Sequence, residues 1–124
     1  MILSDLAALV GRLLIAALFA AGTVQKLADP GPAMALLTDR GWPELLIWPA
    51  TLFNGAAALA LILGLWTRPV AAALAAYCMV TSYFHFLPED PWQMSIFVKN
   101  WAVAGGCLVL SAHGPGRFAL APLR

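Results

Sequence analysis

Charge is what this chain has least of. Only 10% of its 124 residues are Asp, Glu, Lys or Arg, seven basic against six acidic, while 62% are hydrophobic. A soluble domain carries roughly 25% charged and about 45–50% apolar residues. A chain of this length exposes too much surface to be covered by so few charges. An ordinary water-soluble fold is therefore excluded, and the hydrocarbon core of a bilayer is the expected solvent. There is no run of basic residues and the net charge is +1, so the electrostatic footprint of a nucleic-acid binder is missing. Cysteine is scarce as well: Cys78 and Cys107 both lie inside apolar runs. They form neither a disulfide framework nor a zinc spacing and read as small buried hydrophobes. Haem, flavin and metal motifs are absent, since Met79, Met94, His85 and His113 lack a spacing that would select copper. No internal repeat is evident, and residues 1–124 are read as one membrane domain.

What is present is a series of long apolar segments. Residues 6–27 are interrupted only by Arg12, Thr23, Gln25 and Lys26. About 20 residues rising roughly 1.5 Å each cross a hydrocarbon layer of ~30 Å. Arg12 and Ala20-Ala21-Gly22 imitate parts of a cleavable signal peptide. Removing the segment would leave an odd three-span remainder, so it is read as the first span. Asp29-Pro30-Gly31-Pro32 ends that helix, and residues 33–40 are too short to cross, predicting one or two turns lying in the interface. Further spans are expected over residues 44–65, 70–86 and 95–112. Trp66-Thr67-Arg68-Pro69 makes a tight turn with Pro69 as a first helical residue. The fold class is thus all-α: an integral-membrane four-helix bundle with a short interfacial helix between helices 1 and 2.

Four spans put both chain ends on one side. Arg12, Arg68, Arg117 and Arg124 lie toward that side, against Lys26, Arg40 and Lys99. The arginine excess predicts an N-in, C-in orientation. Trp42, Trp48, Trp92 and Trp101 then fall near the outer interface and Trp66 near the inner one, the depth at which amphipathic rings settle.

Steps of three and four sort the rare polar residues onto single helix faces. Arg12, Ala16, Phe19, Thr23 and Lys26 share one; Thr51, Asn54 and Ala58 a second; Cys78, Ser82 and His85 a third; Asn100, Ala104, Cys107 and Ser111 a fourth. Lipid cannot satisfy such groups, so these stripes should face one another. By depth, Lys26, His85, Lys99 and Asn100 gather at the outer end with Asn54 deeper, whereas Arg12 and Arg117 belong to the opposite end as structural polar residues. Ionisable groups at such depth are functional candidates by default. Plainer roles exist for each: the lysines snorkel, the asparagines hydrogen-bond between helices, and His85 is a hydrated histidine beside Glu89 and Asp90.

Several of these pieces together resemble the DoxX family of small four-span bacterial membrane proteins. They are Gly11-Arg12-Leu13-Leu14, Gln25-Lys26-Leu27, Gly64-Leu65-Trp66-Thr67-Arg68, Phe84-His85-Phe86, Phe97-Val98-Lys99-Asn100 and Gly114-Pro115-Gly116-Arg117-Phe118. The chain departs from the family pattern at Asn54, where relatives often carry glutamate, and at Ala121, where they often carry aspartate. The resemblance implies a bacterial inner-membrane protein linked to respiratory or sulfur redox chemistry. On that basis a pocket near the outer leaflet would bind a quinone-like molecule. His85 and Lys99 would be its catalytic residues, and Lys26, Asn54, Ser82, Asn100, Trp92 and Trp101 its binding residues. The bilayer surrounds the protein, and a redox partner protein or a second copy of the chain would accompany it. The alternative is a non-catalytic adaptor or lipid-binding subunit of a larger complex.

Overall fold

A computed structural model describes residues 1–121; Arg124, counted above in the charge asymmetry, lies outside the described residues. Among them are four long helices, α1 (Ile2–Ala28), α3 (Ile47–Leu63), α4 (Thr67–His85) and α5 (Pro91–His113). A short α2 (Gly31–Thr38) and a 3-10 turn over Glu44–Leu46 connect α1 to α3. The expected all-α bundle with a short helix between its first two long ones is what the chain forms. Three stretches are long and apolar enough to cross a membrane: α1, α5 and the 20-residue run Glu44–Leu63. Helix α4 has 19 residues, but Arg68, Pro69, Thr81, Ser82 and His85 dilute its apolar run, so length and apolarity alone mark three of the four long helices as spans among the described residues. Helix α4 still follows α5 from end to end. Arg68 Nη1 donates to the Ala112 carbonyl at 2.7 Å at one end, and His85 Nδ1 meets Gln93 Oε1 at 2.6 Å at the other.

Helix boundaries follow capping chemistry more than hydropathy. Helix α5 begins four residues before the expected start because Pro91 suits a first helical position and Asp90 caps it. The Asp90 carboxylate accepts from the Trp92 and Gln93 amides at 3.0 and 3.2 Å. Helix α4 begins at Thr67, which makes Pro69 its third residue and not its first. The first four amides of a helix have no intrahelical acceptor, so a proline there costs no hydrogen bond.

The polar and small stripes do turn inward. Arg12, Ala16 and Phe19 of α1, Thr51, Asn54 and Ala58 of α3, Cys78 and Ser82 of α4, and Asn100, Ala104 and Cys107 of α5 are all buried. Helix α1 packs chiefly on α3 and α4 on α5, with much thinner contact between these two pairs. In the first pair Gly55 lets the backbones approach, since a Cβ there would sit 3.3 Å from Thr23 Cγ2. Small residues play this part where lipid offers no hydrophobic drive for association.

One end of the bundle is closed by the chain after α5. Arg12 is almost wholly buried, at 1% exposure, and donates to the Pro115 carbonyl at 3.1 Å and the Phe118 carbonyl at 2.7 Å. The Leu120 and Ala121 amides donate to the Leu63 and Gly64 carbonyls at 2.9 and 3.2 Å. Arg117 pairs with Asp5 at 2.9 Å. Arg68 caps the last carbonyls of α5, while Ser111 Oγ returns a 2.9 Å bond to the Arg68 carbonyl. Gly64 sits at the centre of this closure, with φ +73°, and a Cβ there would collide with Ala119 Cβ. Gly64→Ala is therefore expected to combine left-handed strain of about 1–3 kcal/mol with expulsion of the tail. The thermal unfolding midpoint in detergent should fall; an unchanged midpoint would contradict the docked tail.

Candidate functional site

The thin contact between the two helix pairs leaves a cavity at the end opposite the docked tail. It has a volume of about 1510 Å³ and is bordered by the C-terminal parts of α1 and α4, the N-terminal parts of α3 and α5, and α2 across the side. Apolar side chains such as Leu18, Phe19, Leu36, Leu46, Ile47 and Ile96 form most of its wall.

Its polar lining comes from the stripes. The face of α1 that buries Arg12, Ala16 and Phe19 continues two turns further to Lys26, which reaches the cavity. Asn54, at 2% exposure, lies deepest; its Nδ2 donates to Tyr77 Oη at 3.2 Å, and its Oδ1 has no partner. An unpaired buried amide oxygen costs about 1–3 kcal/mol, so a ligand or water donor is the expected complement. His85 closes α4, and Lys99 and Asn100 enter from α5. The Gln93 side-chain amide meets His85 Nδ1 at 2.6 Å and so fixes the orientation of the ring, with Nε2 as its other polar atom.

Of the residues expected in this pocket, Lys26, Asn54, His85, Trp92, Lys99 and Asn100 line one cavity. Ser82 is buried off the lining and donates to the Met79 carbonyl at 2.6 Å. Trp101 is also off the lining, stacked edge-on with Phe97 at 6.5 Å. Arg12 and Arg117 belong to the opposite, closed end.

Three further residues shape the site. Tyr77 fixes the Asn54 amide and is held between Phe19 and Phe53, with ring centroids at 6.4 and 5.4 Å. Its only sequence signal was its place one helical step from Thr81 and two from His85. Gln93 orients the His85 ring from the first turn of α5, ahead of the expected start of the fourth span. Arg40 straps the connection after α2 to the end of α4: Nη2 donates to the Phe86 carbonyl at 2.9 Å and the guanidinium lies 4.4 Å from the Tyr83 ring centroid. Trp42 packs edge-on against Phe84 at 5.8 Å beside it. Helix α2 buries none of its own residues; it touches the 3-10 turn and α4, and the Arg40 and Trp42 contacts reinforce that placement over the cavity.

The cavity thus joins a broad apolar wall to a basic, amide-rich end, a geometry suited to an amphiphile lying with its polar head among Lys26, His85 and Lys99. Among the described residues no three His, Cys, Asp or Glu side chains gather as a metal site.

Comparison with known proteins agrees with this architecture. The chain is 27% identical over 119 residues to the inner membrane protein YqjF of Escherichia coli (strain K12), covering 95% of this chain and 92% of that one. It is 31% identical over 108 residues to the inner membrane protein YphA of the same organism, covering 80% of this chain and 69% of that one. No solved structure matches it. The DoxX family model matches residues 7–87, which takes in α1 through α4 and most of the cavity lining, and the chain therefore belongs to the DoxX family.

Proposed function

We propose that this membrane protein is a redox-associated subunit of a bacterial inner membrane and binds a quinone-like molecule in the cavity between its helix pairs. The supporting observation is the joining, in one cavity, of a large apolar wall to a polar end made by Lys26, Asn54, His85, Lys99 and Asn100. A quinone supplies a two-electron, two-proton couple when bound. The residues suit both of its forms: the amide N–H groups of Asn54 and Asn100 donate to a carbonyl, and the unpartnered Asn54 Oδ1 accepts from a hydroxyl. With Nδ1 committed to Gln93, His85 exchanges a proton with the ligand oxygen at Nε2. Lys26 and Lys99 stabilise negative charge developing on that oxygen, and Trp92 covers the ring at the mouth. Two electrons come from a partner redox protein or a thiol substrate; of the two protons, one passes at His85 and the other comes from water.

A second reading is favoured by size. The cavity of about 1510 Å³ exceeds the roughly 300–1,000 Å³ of an ordinary small-molecule site and has room for acyl chains. In that reading the protein is a non-catalytic, lipid-binding adaptor. Mass spectrometry of molecules co-purifying with the detergent-solubilised protein separates the two. The redox reading expects near-stoichiometric quinone in the native protein and in Val109→Ala, a lipid-facing control. His85→Ala should lose about tenfold, the equivalent of one hydrogen bond to a charged group. Quinone retained in full by His85→Ala overturns the assignment of His85. Retained phospholipid without quinone favours the adaptor.

We further propose that the arginine-rich closed end faces the cytoplasm, giving N-in and C-in. Arg12, Arg68 and Arg117 gather there, in keeping with the bias of cytoplasmic ends toward basic residues. A reporter that is active only in the cytoplasm should work when fused at the C-terminus and fail when inserted in residues 87–92. The reverse pattern would invert the orientation.

A further inference from the structure

We infer that the polar end of the cavity is an oxyanion subsite, in which Lys26 and Lys99 together hold a negatively charged head group carried on an apolar body. This deepens, and rests on, the reading of the cavity as an amphiphile pocket.

Each described arginine already has its partner. Arg12 is bonded to the Pro115 and Phe118 carbonyls, Arg40 to the Phe86 carbonyl and the Tyr83 ring, Arg68 to the end of α5, and Arg117 to Asp5. The two lysines differ. Among the described residues neither makes a salt bridge, since the Arg117–Asp5 pair at the far end is the only one present. Both line the same cavity, although Lys26 comes from α1 and Lys99 from α5, members of different helix pairs. They lie within coulombic range of each other and of His85.

The acids nearby do not answer them. Asp29 is at the lip of the cavity, its carboxylate turned onto Gly31. Asp90 is spent capping α5, and with Glu89 it lines a separate small crevice of the 87–90 turn. Two like charges brought to one low-dielectric cavity from separate helix pairs repel each other unless an anion lies between them. Asn54 adds an independent sign of a missing ligand, because its buried Oδ1 is without a donor in the same cavity. The matching ligand chemistry is a single oxyanion on a ring or chain of low polarity. An ionised ring hydroxyl supplies it, and so does a lipid carboxylate or phosphate.

The test uses two probe pairs that differ only in charge, with the full-length protein in a non-ionic detergent at neutral pH. One pair is 2-hydroxy-1,4-naphthoquinone, ionised under these conditions, against 1,4-naphthoquinone. The other is oleate against oleyl alcohol. Binding is read from quenching of tryptophan fluorescence, Trp92 being on the lining. The anionic member of at least one pair should bind about tenfold or more tighter, which corresponds to ~1.4 kcal/mol. In the double variant Lys26→Gln, Lys99→Gln that advantage should fall below about threefold, since each charge-assisted bond is lost. Lys26→Arg with Lys99→Arg should keep the preference, so loss of charge is separated from loss of fold. Equal binding of both naphthoquinones and of both oleyl probes overturns the subsite while leaving the quinone reading intact. Preference for oleate with neither naphthoquinone bound supports the subsite and overturns the quinone reading. Binding of none of the four overturns the subsite.

Discussion

A guanidinium buried in an apolar bundle must be met by oxygen atoms, and in this protein Arg12 is met by the chain itself. Its bonds to the Pro115 and Phe118 carbonyls draw the segment after α5 beneath the first helix. There the Leu120 and Ala121 amides satisfy the last carbonyls of α3. Arg68 and Ser111 fasten α4 to α5 at the same level. Helix ends that would otherwise leave unpaired carbonyls in or near hydrocarbon are thereby closed. With both helix pairs secured at this end, the opposite end needs no comparable closure, and the cavity occupies the space between the pairs.

Arginine and lysine divide the molecule between them for chemical reasons. A guanidinium presents a rigid fork of donors and reaches two backbone carbonyls at once, as Arg12 and Arg68 do. An ammonium on a flexible stem makes a compact charge suited to a partner that comes and goes. Arginines hold the fold together at one end and strap α2 at the other, while the lysines remain available in the cavity. The histidine between them is oriented by a neutral amide and not by a carboxylate, which leaves the cavity basic.

Most of the bundle is legible in the sequence, because a bilayer makes polar positions rare and therefore informative. The stripes of Arg12 to Phe19, Asn54 to Ala58, Cys78 to Ser82 and Asn100 to Cys107 point inward as helical spacing requires. What escapes such spacing is set by local or long-range contacts. Residues 91–94 fall before the expected start of the fourth span because hydropathy is silent about the Asp90 cap. The amphipathic content of α4 is too polar for length and apolarity alone to mark it as a span, yet the bonds at both its ends keep it alongside α5. Ser82 shares the face of His85 but is one turn deeper, where its hydroxyl turns back on its own helix. Trp101 follows Asn100 directly and so points roughly 100° away from it. Tyr77, Gln93 and Arg40 act through partners distant in sequence or through the geometry of a turn, and no periodicity announces them.

The most direct measurement is photoaffinity labelling of the purified protein with an azidoquinone, followed by peptide mapping of the modified positions. Labels concentrated within residues 18–54 and 77–100, competed away by unlabelled quinone, are what a head group held among Lys26, His85 and Lys99 predicts. Labels confined to outward-facing positions such as Leu59 and Val109, or to the Arg12 end, and indifferent to competitor, would contradict it.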